Sequence, residues 1–250
     1  MWIVTRAVSS VTRIAHYVIL AYRRPISGRP QMAKELVAGR FDTDKDANYL
    51  RNYGLYFGHL IDQPIRLLEL GVLKGGSLLL WRDYFDKGTI VGIDINPVSI
   101  QGDNSRIFVY QGRQEDPTLL DMVASERAPG GFDIIIDDAS HIGELTRKSF
   151  WHLFENHLRP GGIYVIEDWG TGYWSSWPDG AEYLPPFSSS DCRYGSHDFG
   201  MVGFVKQLID ECGMGDITKP GSTQSRLPAR ASKFDKIIFT HGQVFVMKRS

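Results

Sequence analysis

From Ile65 onward the chain alternates short apolar runs with longer stretches carrying an apolar residue at every third or fourth position. The runs are Ile65–Leu70, Thr89–Ile93, Ile107–Tyr110, Phe132–Ile136, Ile163–Ile166, Lys236–Phe239 and Val244–Met247. Helical spacing falls in Ser77–Phe85, Pro117–Glu126 and Glu144–His157. Continuous apolar strands alternating with helices predict an α/β fold whose parallel sheet is covered on both faces. Only Thr240-His241-Gly242-Gln243 separates the last two runs. That is too short for a helical crossover, so an antiparallel hairpin is expected there. The predicted order is five β/α units closed by this pair.

Before Ile65 the pattern differs. Val4, Val8, Val11, Ile14, Val18 and Ala21 form one stripe of an amphipathic helix. Arg6, Arg13 and His16 interrupt the apolar run, which falls short of the ~18 to 20 residues a spanning helix needs. Arg23 and Arg24 add positive charge, so an interfacial membrane helix is one reading. With no long apolar face and no second anchor, packing on the protein body or on a second copy is the preferred one, and membrane contact is not expected. No small-residue cleavage site follows, and Arg23-Arg24-Pro25 comes instead, so no secretory signal is expected. Pro25 to Pro30 reads as a linker, Gln31 to Ala38 as a short helix and Phe41 to Asn48 as a polar run. Residues 1–40 are thus expected to be a helical extension, and 41–250 the main domain.

Composition narrows the classes. At 42% hydrophobic and 23% charged residues, the 250-residue chain is neither disordered nor fibrous. A net charge of −1 offers no electrostatic footprint for nucleic acid. Cys192 and Cys212 are too few for a disulfide scaffold and lack metal-motif spacing, so a cytoplasmic setting is expected. Residues 169–200 break the β/α rhythm with aromatics, Pro, Ser and Gly directly after the fifth predicted strand. An insertion there sits at the carboxyl ends of the strands, where open α/β sheets bind ligands.

Leu67-Leu68-Glu69-Leu70-Gly71-Val72-Leu73-Lys74-Gly75-Gly76-Ser77 reads as a strand, a glycine turn and a helix start. The spacing departs from Gly-x-Gly-x-x-Gly, and Glu69 would repel a pyrophosphate, which ranks a nicotinamide dehydrogenase last. Asp94 ends the next strand, where a carboxylate can hold a ribose hydroxyl pair. The combination suits an adenosine ligand with a cationic, phosphate-free tail. S-adenosylmethionine fits, with Glu69, Gly71, Gly75, Ser77 and Asp94 as expected contacts.

Two further strands end in acid pairs, Asp137-Asp138 and Glu167-Asp168, with His141 just beyond the first. Four carboxylates converging at one sheet edge repel each other unless a cation or protons neutralise them. Oxygen donors of this kind suit Mg²⁺ or Mn²⁺. The alternative is that two of them cap helices or pair with Arg147 and Lys148. His141 has the chemistry of a general base for a hydroxyl nucleophile, or it simply starts a helix.

Glu69-Leu70-Gly71 through Gly76-Ser77, then Gly92-Ile93-Asp94, resembles a class I S-adenosylmethionine-dependent methyltransferase. More narrowly, five segments are similar to the metal-dependent sugar O-methyltransferases of the macrolide-glycoside and methylmannose-polysaccharide types. They are Thr43-Asp44-Lys45, Trp81-Arg82-Asp83-Tyr84-Phe85, Gln111-Gly112-Arg113-Gln114-Glu115-Asp116, Asp137-Asp138-Ala139-Ser140-His141 and Glu167-Asp168. The resemblance implies a Rossmann-like seven-stranded sheet, mostly parallel with a C-terminal antiparallel hairpin and helices on both faces. It implies metal ligands Asp138, Glu167 and Asp168, with Asp137 on the cofactor side or orienting a neighbour, and it supports His141 as the base. Gln114 and Asp116 fall where the family holds the adenine end, and either is alternatively a turn residue. Lys45 and Tyr49 match a segment that closes over the cofactor, although the histidine usual there is replaced by Asn48 or shifted.

The expected function is transfer of a methyl group from S-adenosylmethionine to a sugar hydroxyl of a glycoside, oligosaccharide or polysaccharide precursor, by a metal-dependent homodimer. Among the aromatics of residues 169–200, Trp169, Tyr173 and Trp174 are expected against sugar rings, with His197 beside them. The other aromatic reading is a satellite core. Rival functions are a catechol-type O-methyltransferase and a non-catalytic glycan-binding protein on the same scaffold.

Overall fold

Seven strands pair into one sheet in the order β3-β2-β1-β4-β5-β7-β6. They are β1 (Arg66–Leu70), β2 (Thr89–Asp94), β3 (Ile107–Gln111), β4 (Phe132–Asp137), β5 (Leu158–Glu167), β6 (Phe234–Phe239) and β7 (Gln243–Lys248). Strands β1 to β5 are mutually parallel, and β7 runs antiparallel to both β5 and β6. This is the expected sheet, with the hairpin as its antiparallel edge. The chain is a computed structural model, and it describes residues 34–39, 41–102, 104–183, 196–221 and 227–250. The amphipathic segment before Ala21, the Pro25 to Pro30 linker, Phe187 and Tyr194 lie outside the described residues.

Register brings the chemistry to one level. Leu70 of β1 stands beside Ile93 of β2 and Asp137 of β4, Asp137 beside Ile166 of β5, and Glu167 beside Gln243 of β7. Period-two alternation then sorts the strand side chains between two cores. Leu67, Ile134, Ile136 and Val165 pack with helices α1 (Ala47–Phe57) and α2 (Gly76–Tyr84). Leu68, Leu70, Ile135 and Ile166 pack on the other face, with α3 (Pro117–Arg127), α4 (Gly143–Asn156) and α5 (Gly200–Cys212).

Two expectations are corrected. Lys34–Ala38, the described part of the helix expected over Gln31–Ala38, is not helical. Leu36 is its one buried apolar anchor and Val37 is 54% exposed, so no apolar face exists to hold a helix against the core. The β2-to-β3 crossover also carries no helix among its described residues, so the β/α rhythm skips a beat. Pro97 removes an amide there, and Arg106 fastens the crossover, donating to the carbonyls of Arg82, Phe85 and Gly88 at 2.7–2.8 Å. Conversely, α1 begins at the end of the expected polar run and continues through residues for which no element was expected. Asp46 caps it by accepting from the amides of Asn48 and Tyr49, and Tyr49, Tyr53 and Phe57 bury one stripe. No described helix is long and apolar enough to cross a membrane.

Candidate active site

The glycine loop between β1 and α2 is shaped by backbone needs. Gly71 has φ +77°, and a Cβ there would meet the Asp138 carbonyl oxygen at 2.2 Å. Only glycine lets the two strand ends approach so closely. Asp94 holds the loop from β2: its Oδ2 accepts from the amides of Val72 and Leu73, both at 3.0 Å, and its Oδ1 from Asn96 at 2.8 Å. Two connected hollows open beside it. One, of about 260 Å³, is lined by Thr43, Gly71, Ser77, Asp94, Asp138, His141 and Asp168 among others. The second, of about 230 Å³, runs past Gly71, Asp94, Gly112, Gln114 and Ser140. Together they form a trough along the carboxyl ends of β1, β2 and β4.

Alternation decides what each acid touches. Glu69 and Glu167 point to the α1/α2 face and Asp137 to the opposite one. Glu69 is fully buried, accepting from Ser77 Oγ at 2.7 Å and Trp81 Nε1 at 3.2 Å. Lys45 drives its ammonium among the acids, 2.8 Å from Asp138, 2.9 Å from Glu167 and 3.1 Å from Glu69. Burial opposes charge on Lys45, but the three carboxylates outweigh it and raise its pKa well above the ordinary value. Burial and the neighbouring Asp138 push the Glu167 carboxyl up against the pull of Lys45. Tyr53 donates a short hydrogen bond to Glu167, and Tyr49 donates one to Asp168.

Asp137 lies on the far side of the sheet, in a closed network. It accepts from Ser149 Oγ at 2.8 Å, Gln114 Nε2 at 3.0 Å and Tyr164 Oη at 3.1 Å. Burial raises its carboxyl to about 6, against the hydrogen bonds from Ser149 and Tyr164. Gln114 in turn accepts from the Ser140 amide at 3.0 Å, tying the network to the turn that carries His141.

The described residues with positive φ other than glycine are Leu73, His141 and Asp168, and all three line the trough. Such backbone persists where surrounding contacts over-determine it. His141 is buried, its Nε2 at 3.8 Å from Asp138 Oδ1 and 3.9 Å from Asp168 Oδ2. These three offer ligand atoms mutually within 4.8 Å. Two carboxylates with adjacent acid partners form an oxygen-rich donor set that fits a hard divalent cation. Glu167, expected as a third metal ligand, has its oxygens on Lys45 and Tyr53.

On the other side of Asp138 and Asp168 lies a hollow of about 420 Å³, walled by Tyr49, Trp169, Tyr173, Trp174 and His241 among others. Tyr173 and Trp174 are 37% and 57% exposed, leaving their faces open to a ligand. His197 is placed differently. It is buried in an aromatic stack with Tyr183 and Phe199, its Nε2 at 2.9 Å from the Gly172 carbonyl. Asp116 caps α3 on the amides of Thr118 and Leu119, and it lines neither trough hollow. Gly75 is the left-handed residue that starts α2.

Three residues escape the sequence reading. Tyr53 has a weak signal, lying one turn beyond Tyr49 on α1. Trp177, set edge-on to His141 at 5.0 Å, is one aromatic among many. Asp179 has no sequence signal: its Oδ2 accepts from the amides of Gly143 at 2.7 Å and Met201 at 2.5 Å, joining the starts of α4 and α5 to the insertion.

Strand order, terminal hairpin and glycine loop together define the fold of class I S-adenosylmethionine-dependent methyltransferases. Within that class the chain is similar to sugar O-methyltransferases. It is 39% identical over 166 residues to demethylmacrocin O-methyltransferase of Streptomyces fradiae, covering 64% of this chain and 38% of that one. With mycinamicin VI 2''-O-methyltransferase of Micromonospora griseorubida the identity is 40% over 166 residues, again 64% and 38% of the two chains. A solved structure of the mycinamycin-pathway methyltransferase MycE, in complex with Mg, SAH and mycinamycin VI, matches with TM-score 0.68 at 32% identity. That match covers 87% of this chain and 54% of the other. The chain thus spans about four-tenths of the length of these curated relatives. No protein-family model matches it.

Proposed function

We propose that the chain is a metal-dependent O-methyltransferase that moves the methyl group of S-adenosylmethionine to a sugar hydroxyl of a glycoside or oligosaccharide. One observation carries the reading: Asp138 and Asp168 line both the trough beside the glycine loop and the aromatic-walled hollow. A donor in the first and an acceptor in the second would meet across them, beside His141. Names and complexes of the relatives support the same chemistry, including Mg in the MycE structure.

In this reading Gly71, Asp94 and Gln114 border the donor site, and Asp138 and Asp168 would hold the cation, with His141 and Glu167 beside them. When bound, Mg²⁺ or Mn²⁺ supplies charge that orients vicinal hydroxyls and lowers the pKa of the attacking one. His141 Nε2 takes the hydroxyl proton. The oxygen forms a bond to the methyl carbon, and the carbon–sulfur bond breaks with its electron pair passing to sulfur, giving S-adenosylhomocysteine. The remaining work is alignment, to which Trp177 against His141 and the Asp179 junction contribute. Trp169, Tyr173 and Trp174 would take the apolar face of a sugar ring.

Residues 41–250 act as the methyltransferase domain, with 169–200 as its acceptor insertion and 1–40 as an extension. We place the enzyme in the cytoplasm and read it as a homodimer, which light scattering tests. Calorimetric titration of S-adenosylmethionine, then transfer to a glycoside panel with and without EDTA, tests the central reading. Binding with EDTA-sensitive transfer is expected. Absence of cofactor binding overturns it and favours the glycan-binding alternative, while transfer to catechols alone favours the catechol one.

A further inference from the structure

We infer that Asp121, His152 and His157 form a second divalent-cation site, of the zinc class, bridging α3 and α4 at the sheet edge opposite the catalytic trough. His152 lies in the last turns of α4, His157 directly follows that helix, and Asp121 comes from α3. Both imidazole Nε2 atoms converge on one atom, Asp121 Oδ1, at 2.7 and 2.6 Å. All three ligand atoms lie within 4.8 Å of one another. The two rings are tilted by 55° at 5.4 Å, so neither covers the other's nitrogen.

The donor set selects the ion. Two imidazoles with one carboxylate suit Zn²⁺ and its borderline neighbours, whereas Mg²⁺ prefers oxygen ligands and waters. Zinc bonds of about 2.0–2.2 Å put tetrahedral ligand atoms roughly 3.3–3.5 Å apart. Asp121 must therefore draw back from the two ring nitrogens by under an ångström from its hydrogen-bonded spacing. Asp121 is exposed enough to make that move, its side chain being 57% accessible. The backbone beneath is firm, since the His157 amide is fixed to the Leu153 carbonyl at 2.8 Å. Lys248 already answers the open end of α4, donating to the Phe154 and Glu155 carbonyls at 2.6 and 3.2 Å. The ion is therefore held by the three side chains and water, and it staples α3 to α4 rather than taking part in transfer. The site stands independently of the methyltransferase reading.

Zn²⁺ alone is titrated calorimetrically into the metal-stripped full chain, its His152→Gln and His157→Gln variants, and an Asp138→Asn/Asp168→Asn double variant. The double variant, in which the trough acids are neutralised, retains one zinc equivalent. Each His variant loses that equivalent or binds it at least about tenfold more weakly. Identical isotherms in wild type and both His variants, or no zinc binding by the double variant, overturn the proposal. Imidazole NMR of the wild type gives a second reading that needs no variant. Both the His152 and His157 ring signals must shift on adding one equivalent, and unchanged signals overturn it equally.

Discussion

The two sides of the strand-end crevice satisfy their carboxylates by different means. Beside the glycine loop, Asp94 spends its oxygens on backbone amides, those of Val72 and Leu73 lying 22 and 21 residues away in sequence. Across the sheet centre, Asp138, Glu167 and Asp168 are answered by side chains, Lys45, Tyr53 and Tyr49, which lie 93 to 122 residues away. Backbone donors are held by the fold and cannot leave without unmaking the loop. The Lys45 ammonium and the Tyr49 phenol border the aromatic-walled hollow and are held by side-chain contacts, whereas Tyr53 is fixed in the core. The first half is thus a preformed cradle, and the second a cluster in which one ammonium faces several carboxylates, leaving negative charge for a cation to answer.

Substitutions can separate the halves. His141→Ala is expected to have the largest effect, lowering transfer by about 10²- to 10⁴-fold while cofactor affinity, measured by calorimetry, stays within a few-fold. An equal loss of both would mean that the turn at His141 belongs to the cradle. Lys45→Met leaves Glu69, Glu167 and Asp138 without their cation, and about 3 to 5 kcal/mol of stability should go, read by denaturant unfolding. Restoration by Mg²⁺ would sharpen the comparison, since a second cation would then be doing the work of the first. Asp94→Asn tests the cradle. It replaces an acceptor with a poorer one under two amides and should weaken the cofactor by about 1 to 3 kcal/mol, roughly five- to 150-fold in Kd. Stability of the acid cluster should not follow.

The smallest effect lies outside both halves and serves as the control. Burial pushes the Glu211 carboxyl up, but the Arg230 fork at 2.7 and 2.6 Å and the Lys233 amide outweigh it and hold it below its ordinary value. A depressed carboxylate contributes stability above its unfolded pKa of about 4.3, and loses it as pH falls through the folded value. Arg230→Ala should therefore cost under about 1 kcal/mol at pH 7, because Arg230 is partly exposed. The difference in melting temperature from wild type should shrink below pH 4, with cofactor binding untouched at neutral pH.

Much of the cradle was legible in the residues because it is local. A strand, a glycine turn, a helix start and an acid at the next strand end are contiguous in sequence, and their order implies their geometry. The acid pairs were legible as strand-end residues for the same reason. Their partners were not. Tyr53 lies on a helix hidden by the polar run that caps it, although Tyr49, Tyr53 and Phe57 keep helical spacing. Asp179 looks like any loop acid until two helix starts converge on it. Asp137 and Asp138 are neighbours in sequence, and only strand register puts one among Ser149, Tyr164 and Gln114 and the other against Lys45.

Hydrophobic periodicity by itself determined the sheet class, the antiparallel hairpin and the carboxyl edge as the place for chemistry, because burial and alternation act residue by residue along the chain. Tertiary structure alone decided which acid met which cation, that three strained backbone positions line one trough, and that an insertion is pinned to the turn bearing the histidine. Those outcomes depend on side chains a hundred residues apart meeting at distances near 3 Å, where charge and hydrogen bonding discriminate steeply and sequence separation carries no signal.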